Sequence, residues 1–393
     1  MNQPPFEVAD IIRQYGKAFI ENHRSWLTYQ HLRVLYAIEH CRTAALGGHI
    51  DGGSRCGYRA DISYNSCGSR HCPKCLTHAR DLWLAERNKE CLPVGYFHVV
   101  FTLPHELSWL ALQNKKTIYD LLFRAAADTL REVAADPQWL GAEIGFLSIL
   151  HTWGQNLQAH PHVHCIVPAG GLSFHHQRWV HPRYAFLPAK VLSKVFRGKF
   201  TASLKNAFRR GVLQFPGTLQ AIGTDKAFRA FLRTLFRKNW VVYAKPPFRG
   251  PEHLLQYLAR YTHRVAISNH RILDVADGQV TFRWKDYAHG GKQRKMTLSA
   301  NEFLRRFLLH VLPKGFIRIR FFGFLAPRRR GVLLPLCRRL LGEQPPPCLP
   351  ASPSPPALWR CPRCGGPMRV LERLPAGQLL LRSASRRSFN DSS

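Results

Sequence analysis

Imidazoles recur at alternate positions in the run His160-Pro161-His162-Val163-His164-Cys165-Ile166-Val167. In an extended strand successive side chains alternate faces, so all three histidines would project the same way. Two imidazoles on one strand face supply half of a metal site. Alone, a His-x-His strand reads more simply as the polar face of a half-buried strand. A second constellation shifts that balance: Tyr257 and Tyr261 lie four residues apart on a predicted helix from Glu252 to about Thr262, on one face and about one turn apart. Arg260, His263 and Arg264 stand beside them. Two aromatics in a core stripe are the plain alternative, but cations beside two hydroxyls suit a phosphate better than a core. A phenolate is a competent nucleophile toward phosphorus, and a divalent ion on the phosphate helps the DNA 3′ oxygen to leave. Histidines on a sheet with a tyrosine helix against it would therefore nick single-stranded DNA. The 5′ end would be held as a phosphotyrosine and the 3′ hydroxyl kept for rejoining. Pro161 bends the strand between His160 and the later pair, so His162 and His164 are the expected ligands and His160 an outer-shell residue. His253 and Gln256, on the tyrosine helix, are the candidates for a third ligand.

Of 11 cysteines, five (Cys41, Cys56, Cys67, Cys72 and Cys75) crowd an N-terminal segment and two form Cys361-x-x-Cys364. That distribution fits metal knuckles better than a secreted disulfide framework. Zinc takes four soft or borderline ligands at tetrahedral angles, and Cys72-Pro73-Lys74-Cys75 supplies two from one turn. Cys67 and Cys56 are the natural third and fourth. A second knuckle ending at Cys56 would need a cysteine where Gly53 stands. Cys361-x-x-Cys364 reads as an isolated half-site, with Cys337 and Cys348 available to complete it.

The charge narrows the partner. The chain has 57 Lys and Arg against 24 Asp and Glu, a net +33 with a sequence pI near 10.4. Such a surplus repels itself unless a polyanion shares the surface, which points to nucleic acid bound in a salt-dependent way. No polybasic amphipathic helix with a large apolar face suggests a membrane surface, no apolar run is long enough to span one, and Met1-Asn2-Gln3-Pro4-Pro5 lacks a signal-peptide layout. The expected location is cytoplasmic, at the nucleoid, with single-stranded DNA as partner and no membrane or small-molecule substrate.

The elements that must position these groups follow from periodicity. Residues Phe6 to about Leu46 read as two helices, ended by the Gly-rich break Gly47 to Gly53. A helix is predicted from Leu76 to about Cys91. Tyr96 to Leu103 is a strand stopped by Pro104. A helix from about Lys116 to Ala134 precedes strands near Gly145 to Trp153 and His162 to Val167, whose short connection makes them antiparallel neighbours. Basic amphipathic helices follow at Pro188 to Arg210 and Thr224 to Arg237. Trp240 to Ala244 is a strand stopped by Pro246-Pro247. Beyond the tyrosine helix come strands at Arg271 to Val275, Val280 to Lys285 and Lys295 to Leu298, a helix at Ala300 to His310 and a basic strand at Phe316 to Arg320. The mix is α+β. Expected divisions are a helical and zinc-binding module at 1–95, a catalytic domain at 96–340, and at 341–393 a Pro-rich linker, the isolated knuckle and a disordered tail.

These motifs together resemble the HUH nucleases, in which a His-hydrophobe-His strand like His162-Val163-His164 works with catalytic tyrosine, here of the two-tyrosine class. The wider pattern is similar to transposases of the insertion-sequence ninety-one family. It is carried by Tyr64-Asn65-Ser66-Cys67 with Arg70-His71-Cys72-Pro73-Lys74-Cys75, by Thr152-Trp153-Gly154-Gln155, by Tyr257 to Arg264, and by Phe282-Arg283-Trp284-Lys285-Asp286-Tyr287. The resemblance runs from about Ile38 to Leu325. It implies an HUH-type antiparallel sheet flanked by helices, with a small N-terminal helical and zinc-knuckle module. It also implies rolling-circle-like transposition through 5′ phosphotyrosine intermediates, with Tyr257 and Tyr261 as nucleophiles. His162 and His164 would hold Mg2+ or Mn2+, Arg260 and Arg264 would contact DNA, and Zn2+ would be structural. Two departures stand out: Gly53 replaces a knuckle cysteine of the family pattern, and Phe321-Phe322 replaces a pair that more often includes tyrosine. The alternatives are a plasmid or phage rolling-circle replication initiator, which the N-terminal cysteine module disfavours, and a non-catalytic zinc-dependent DNA-binding regulator.

Overall fold

The computed structural model describes residues 4–75, 83–84, 86–182, 187–248, 266–342, 360–379 and 381. Along the chain the strands are β1 (Gly48–Gly53), β2 (Arg59–Tyr64), β3 (Tyr96–Thr102), β4 (Phe146–Trp153), β5 (Ala159–Pro168), β6 (Gly171–Leu172), β7 (Trp179–Val180), β8 (Val242–Phe248), β9 (Ile272–Ala276), β10 (Gln279–Asp286), β11 (Lys292–Ser299), β12 (Ile319–Phe322) and β13 (Met368–Leu374).

The largest sheet is antiparallel, in the order β12-β4-β5-β3-β8, so the histidine strand β5 is central. Its two faces are chemically distinct because the alternation of side chains is strict. Val99 and Phe101 of β3, Phe146 and Leu150 of β4, and Val163, Cys165 and Val167 of β5 form one core with Leu122, Phe123, Phe196 and Phe200. Those last four come from the helices Lys115–Ala135 and Ala189–Arg209, both expected from their apolar spacing. The other face carries His98, His151, His162 and His164, bordered by the apolar group Tyr96, Leu147, Ile149 and Ile166. Helices thus cover the apolar face of the sheet, and the opposite face carries the histidines, an α+β arrangement as expected.

A second core joins the N-terminal helices to the segment 266–311. The helices Val8–Asn22 and Tyr29–Glu39 contribute Val8, Ile11, Ile12, Phe19, Val34, Leu35 and Ile38. These pack with Phe282 of β10 and with Phe303, Leu304 and Phe307 of the helix Ala300–Leu309, which lies beside the sheet β11-β10-β9. The backbone N–H of Val8 also donates to Asn269 Oδ1 at 3.2 Å, 261 residues away in sequence. The division expected near residue 95 is therefore not a packing boundary: neither set of apolar faces would be covered without the other.

Three local expectations change, each for a physical reason. The Gly-rich break at 47–53 is largely strand β1, the middle strand of β13-β1-β2. Its glycines permit close approach, since a Cβ on Gly52 would fall 2.3 Å from Leu371 Cδ1. Pro246-Pro247 does not stop β8, because β8 is an edge strand and its pairing with β3 is irregular between Tyr96 and His98, where the missing N–H groups are tolerated. The segment after residue 341 contributes β13, which pairs with β1 from Gly48↔Leu374 to Gly53↔Met368. It is thus part of the N-terminal sheet and its knuckle is not isolated. The helix Pro327–Leu340, absent from the sequence reading, buries Leu333, Leu334 and Cys337 and starts with proline in its first turn. No helix among the described residues is long and apolar enough to cross a membrane.

Candidate metal and DNA-processing site

The histidine face is built by register. His151 on β4 stands directly opposite His162 on β5, and Ile149 opposite His164. Cross-strand partners share a face, so the side chains of His151, His162 and His164 converge, with ligand nitrogens all within 4.8 Å of one another. His151 and His164 are buried and His162 is half-buried. His160 lies outside the group, exposed, with its ring centroid 5.1 Å from that of His162.

Hydrogen bonds orient two of the rings. His162 Nδ1 lies 2.6 Å from the carbonyl oxygen of His160, so it carries the proton and donates; the lone pair of that tautomer is on Nε2. His164 Nδ1 lies 2.8 Å from Nε2 of His98, a buried residue of β3, and the two rings are stacked 5.0 Å apart at 3°. Burial is the largest cause that lowers the His162 imidazole to about 3, with His160 adding to it. Burial, then His151 and His162, push His164 well below its ordinary value. Both rings are therefore neutral near pH 7, the form that ligates a metal.

The expected zinc ligands divide between two clusters. Cys67, Cys72 and Cys75 are grouped with Cys41, all four sulfurs within 4.8 Å. Cys75 Sγ lies 3.3 Å from Cys41 Sγ and 3.4 Å from Cys67 Sγ. Zn–S bonds near 2.3 Å at tetrahedral angles place sulfurs about 3.8 Å apart, whereas a disulfide is near 2.05 Å, so the geometry fits an ion cage and all four are free thiols. Cys41 follows the helix Tyr29–Glu39, where its thiol is fully buried, and hydrogen bonding to Cys67 is the largest cause that lowers it to about 7. Cys56 is instead grouped with Cys361 and Cys364. The grouping of Cys56 with Cys67 is thus corrected, because β2 leads the chain away between them.

The four-thiol knuckle is tied to the approach to β12. His71 is buried, and its Nε2 accepts the Leu312 N–H at 3.2 Å; burial, then Arg70, lowers it to about 3. Arg70 donates to the Phe316 carbonyl oxygen at 2.6 Å, and Lys74 pairs with Glu7 at 2.5 Å. Tyr257, Tyr261, Arg260, Arg264, His253 and Gln256 lie outside the described residues, as does half of the helix expected from Leu76 to about Cys91.

Sequence reasoning missed His151, Cys41 and His98. The signal for His151 lies in the expected antiparallel pairing of its strand with β5, which names the neighbour but not the register. His98 sat in a strand read for its apolar residues, and Cys41 stood too far from the Cys-x-x-Cys turn for spacing to reach it.

Residues 145–331 match the family described as "Putative transposase", and residues 11–103 match the "Transposase zinc-binding domain". The chain is 56% identical over 341 residues to "Putative transposase y4qJ" of Sinorhizobium fredii (strain NBRC 101917 / NGR234), spanning 86% of this chain and 85% of that one. It is 30% identical over 310 residues to the "Transposase for insertion sequence element IS801" of Pseudomonas savastanoi pv. phaseolicola, spanning 75% of this chain and 70% of that one. These matches define a transposase, an enzyme that processes DNA, with a structural zinc-binding part. The chain belongs to the insertion-sequence ninety-one family of transposases.

Proposed function

We propose that this transposase nicks and rejoins single-stranded DNA at the ends of its element by tyrosine attack on phosphorus, using a divalent ion held by His162, His164 and His151. The observation that carries the reading is the convergence of those three imidazoles, two of them held neutral by burial, on the sheet face opposite the helix-packed core. His253 and Gln256 are then not needed as the third ligand. Three nitrogen donors suit a borderline ion such as Mn2+ better than Mg2+, which prefers oxygen. When bound, the ion would polarise the scissile phosphate and ease departure of the 3′ oxygen.

Tyr257 or Tyr261 would supply the nucleophile, a role resting on the sequence motif. Its phenolate oxygen forms the new P–O bond as the bond from phosphorus to the 3′ oxygen breaks. The tyrosine proton is lost to solvent and the leaving oxygen gains one, giving a 5′ phosphotyrosine and a 3′ hydroxyl. Reversal by a 3′ hydroxyl rejoins the strand, and the second tyrosine permits a second cut while the first end is held. Arg260 and Arg264 would neutralise the phosphate, within the positive field of the whole chain. Zinc on Cys41, Cys67, Cys72 and Cys75 would lock the N-terminal module to the approach to β12 rather than take part in the cut.

The test is incubation of the full chain with a single-stranded oligonucleotide carrying an element end and Mn2+. A covalent protein–DNA adduct is expected, reduced by Tyr257→Phe or Tyr261→Phe and abolished by both together. An adduct that survives the double substitution overturns the reading.

A further inference from the structure

Cys56, Cys361 and Cys364 come together from opposite ends of the chain, their ligand atoms within 4.8 Å of one another. Cys56 Sγ and Cys361 Sγ are 3.4 Å apart although 305 residues separate them in sequence. All three are free thiols, and Cys361 is buried while Cys364 is exposed. Two tight turns present them. Gly53 N–H donates to the Tyr58 carbonyl oxygen at 2.7 Å around Cys56, and Cys361 N–H donates to that of Gly366 at 2.7 Å around Cys364. The turns are laced together by Ser54, whose N–H and Oγ both donate to the Pro367 carbonyl oxygen, at 3.1 and 2.9 Å. Strand pairing ends at Gly53↔Met368, directly beside the thiols. Such a pair of turns can present thiolates to a tetrahedral site, and the 3.4 Å spacing is too long for a disulfide and close to the roughly 3.8 Å of sulfurs sharing one zinc.

The fourth corner is the informative one. A Cβ built on Gly53 would lie 3.0 Å from Cys361 Sγ and 3.1 Å from Cys56 Sγ, so Gly53 backs directly onto the thiols without contributing a donor. We propose that Cys56, Cys361 and Cys364 bind a second zinc ion with three protein ligands, which clasps the C-terminal strand β13 to β1 and takes its fourth ligand from solution, a water or a small thiol. Three thiolates provide affinity, and the side exposed at Cys364 makes the ion more exchangeable than one enclosed by four. The inference does not depend on the nicking chemistry.

Metal analysis of the purified full chain tests it directly. About two zinc ions per chain are expected, falling to about one in both Cys364→Ser and Cys361→Ser. A chromogenic chelator should remove one ion quickly and the other slowly, and cobalt substitution should give thiolate charge-transfer absorption that weakens in Cys364→Ser. Gly53→Cys should keep two ions and convert the fast chelator phase to a slow one, because the new thiol supplies the missing corner once the neighbouring sulfurs shift by a few tenths of an ångström. One zinc per chain in the wild type, a Cys361–Cys364 disulfide in the isolated protein, or a chelator profile that Cys364→Ser leaves unchanged would each overturn the proposal.

Discussion

Replacing His98 by phenylalanine tests the proposed metal site, because it would separate the ligand His164 from the group that aims it. The ring stack with His164, 5.0 Å apart at 3°, survives the substitution, while the 2.8 Å bond between His98 Nε2 and His164 Nδ1 is lost. Outer-shell partners of a ligating histidine are worth about 10- to 100-fold in metal affinity. At roughly 1.4 kcal/mol per tenfold that is about 1.4–2.8 kcal/mol, within the about 1–3 kcal/mol that loss of one buried hydrogen-bond partner costs. The assay is adduct formation on a single-stranded oligonucleotide as a function of Mn2+ concentration. In His98→Phe the half-saturating Mn2+ should rise about 10- to 100-fold, with the maximum at saturating Mn2+ staying within a few-fold of wild type. His98→Gln, which keeps a polar atom, should recover part of the shift. An unchanged half-saturation point would refute a positioning role for His98, and a lost maximum that no Mn2+ restores would mean that it acts on the fold instead.

Cys41→Ser should cost the four-thiol site its zinc, the ion that a chelator removes slowly, and expose the module to proteolysis, whereas Cys56→Ser should cost only the quickly removed ion; loss of the slow chelator phase in Cys56→Ser would contradict the grouping of the thiols. Glu302, bound first by Arg305 and also by Arg306, is lowered from 4.5 to about 2. Its folded value lies below its unfolded one, so its contribution is complete above about pH 4.5 and is lost as pH falls toward 2. The gap in melting temperature between wild type and Glu302→Gln should therefore narrow from pH 6 to pH 3, and a constant gap would refute the linkage. Phe303, fully buried where the N-terminal helices meet the helix Ala300–Leu309, should lose about 3–5 kcal/mol on Phe303→Ala in denaturant titration. A loss under about 1 kcal/mol would mean that the shared core collapses around the gap.

Local periodicity carried much of the fold. The strands β3, β4 and β5 and the helices Lys115–Ala135 and Ala189–Arg209 lie within a few residues of where their apolar patterns put them. Non-local pairing was the harder part. Gly48 to Gly53 has the composition of a loop, and long-range neighbours such as the side chains of Ile62 and Leu371 lying across it explain why glycine serves in a strand. Nothing local in Met368 to Leu374 names β1 as its partner. The site divides along the same line: His162-x-His164 and the Cys72–Cys75 turn are short-range patterns, whereas His151 and Cys41 join them through strand register and helix packing. Spacing in sequence favoured Cys56 for the first cage, and the course of β2 took it elsewhere.

The pairing of β1 with β13 also sets an order of events at the ribosome. With 305 residues between Cys56 and Cys361, translation at about 5–20 residues per second separates the two halves of that junction by roughly 15–60 s. Throughout that interval β1 has β2 on one side and a bare row of backbone donors and acceptors on the other. A message broken before codon 368 leaves that edge uncovered for good, marking the product for aggregation or degradation. Damaged copies of the element would then release few long-lived partial proteins.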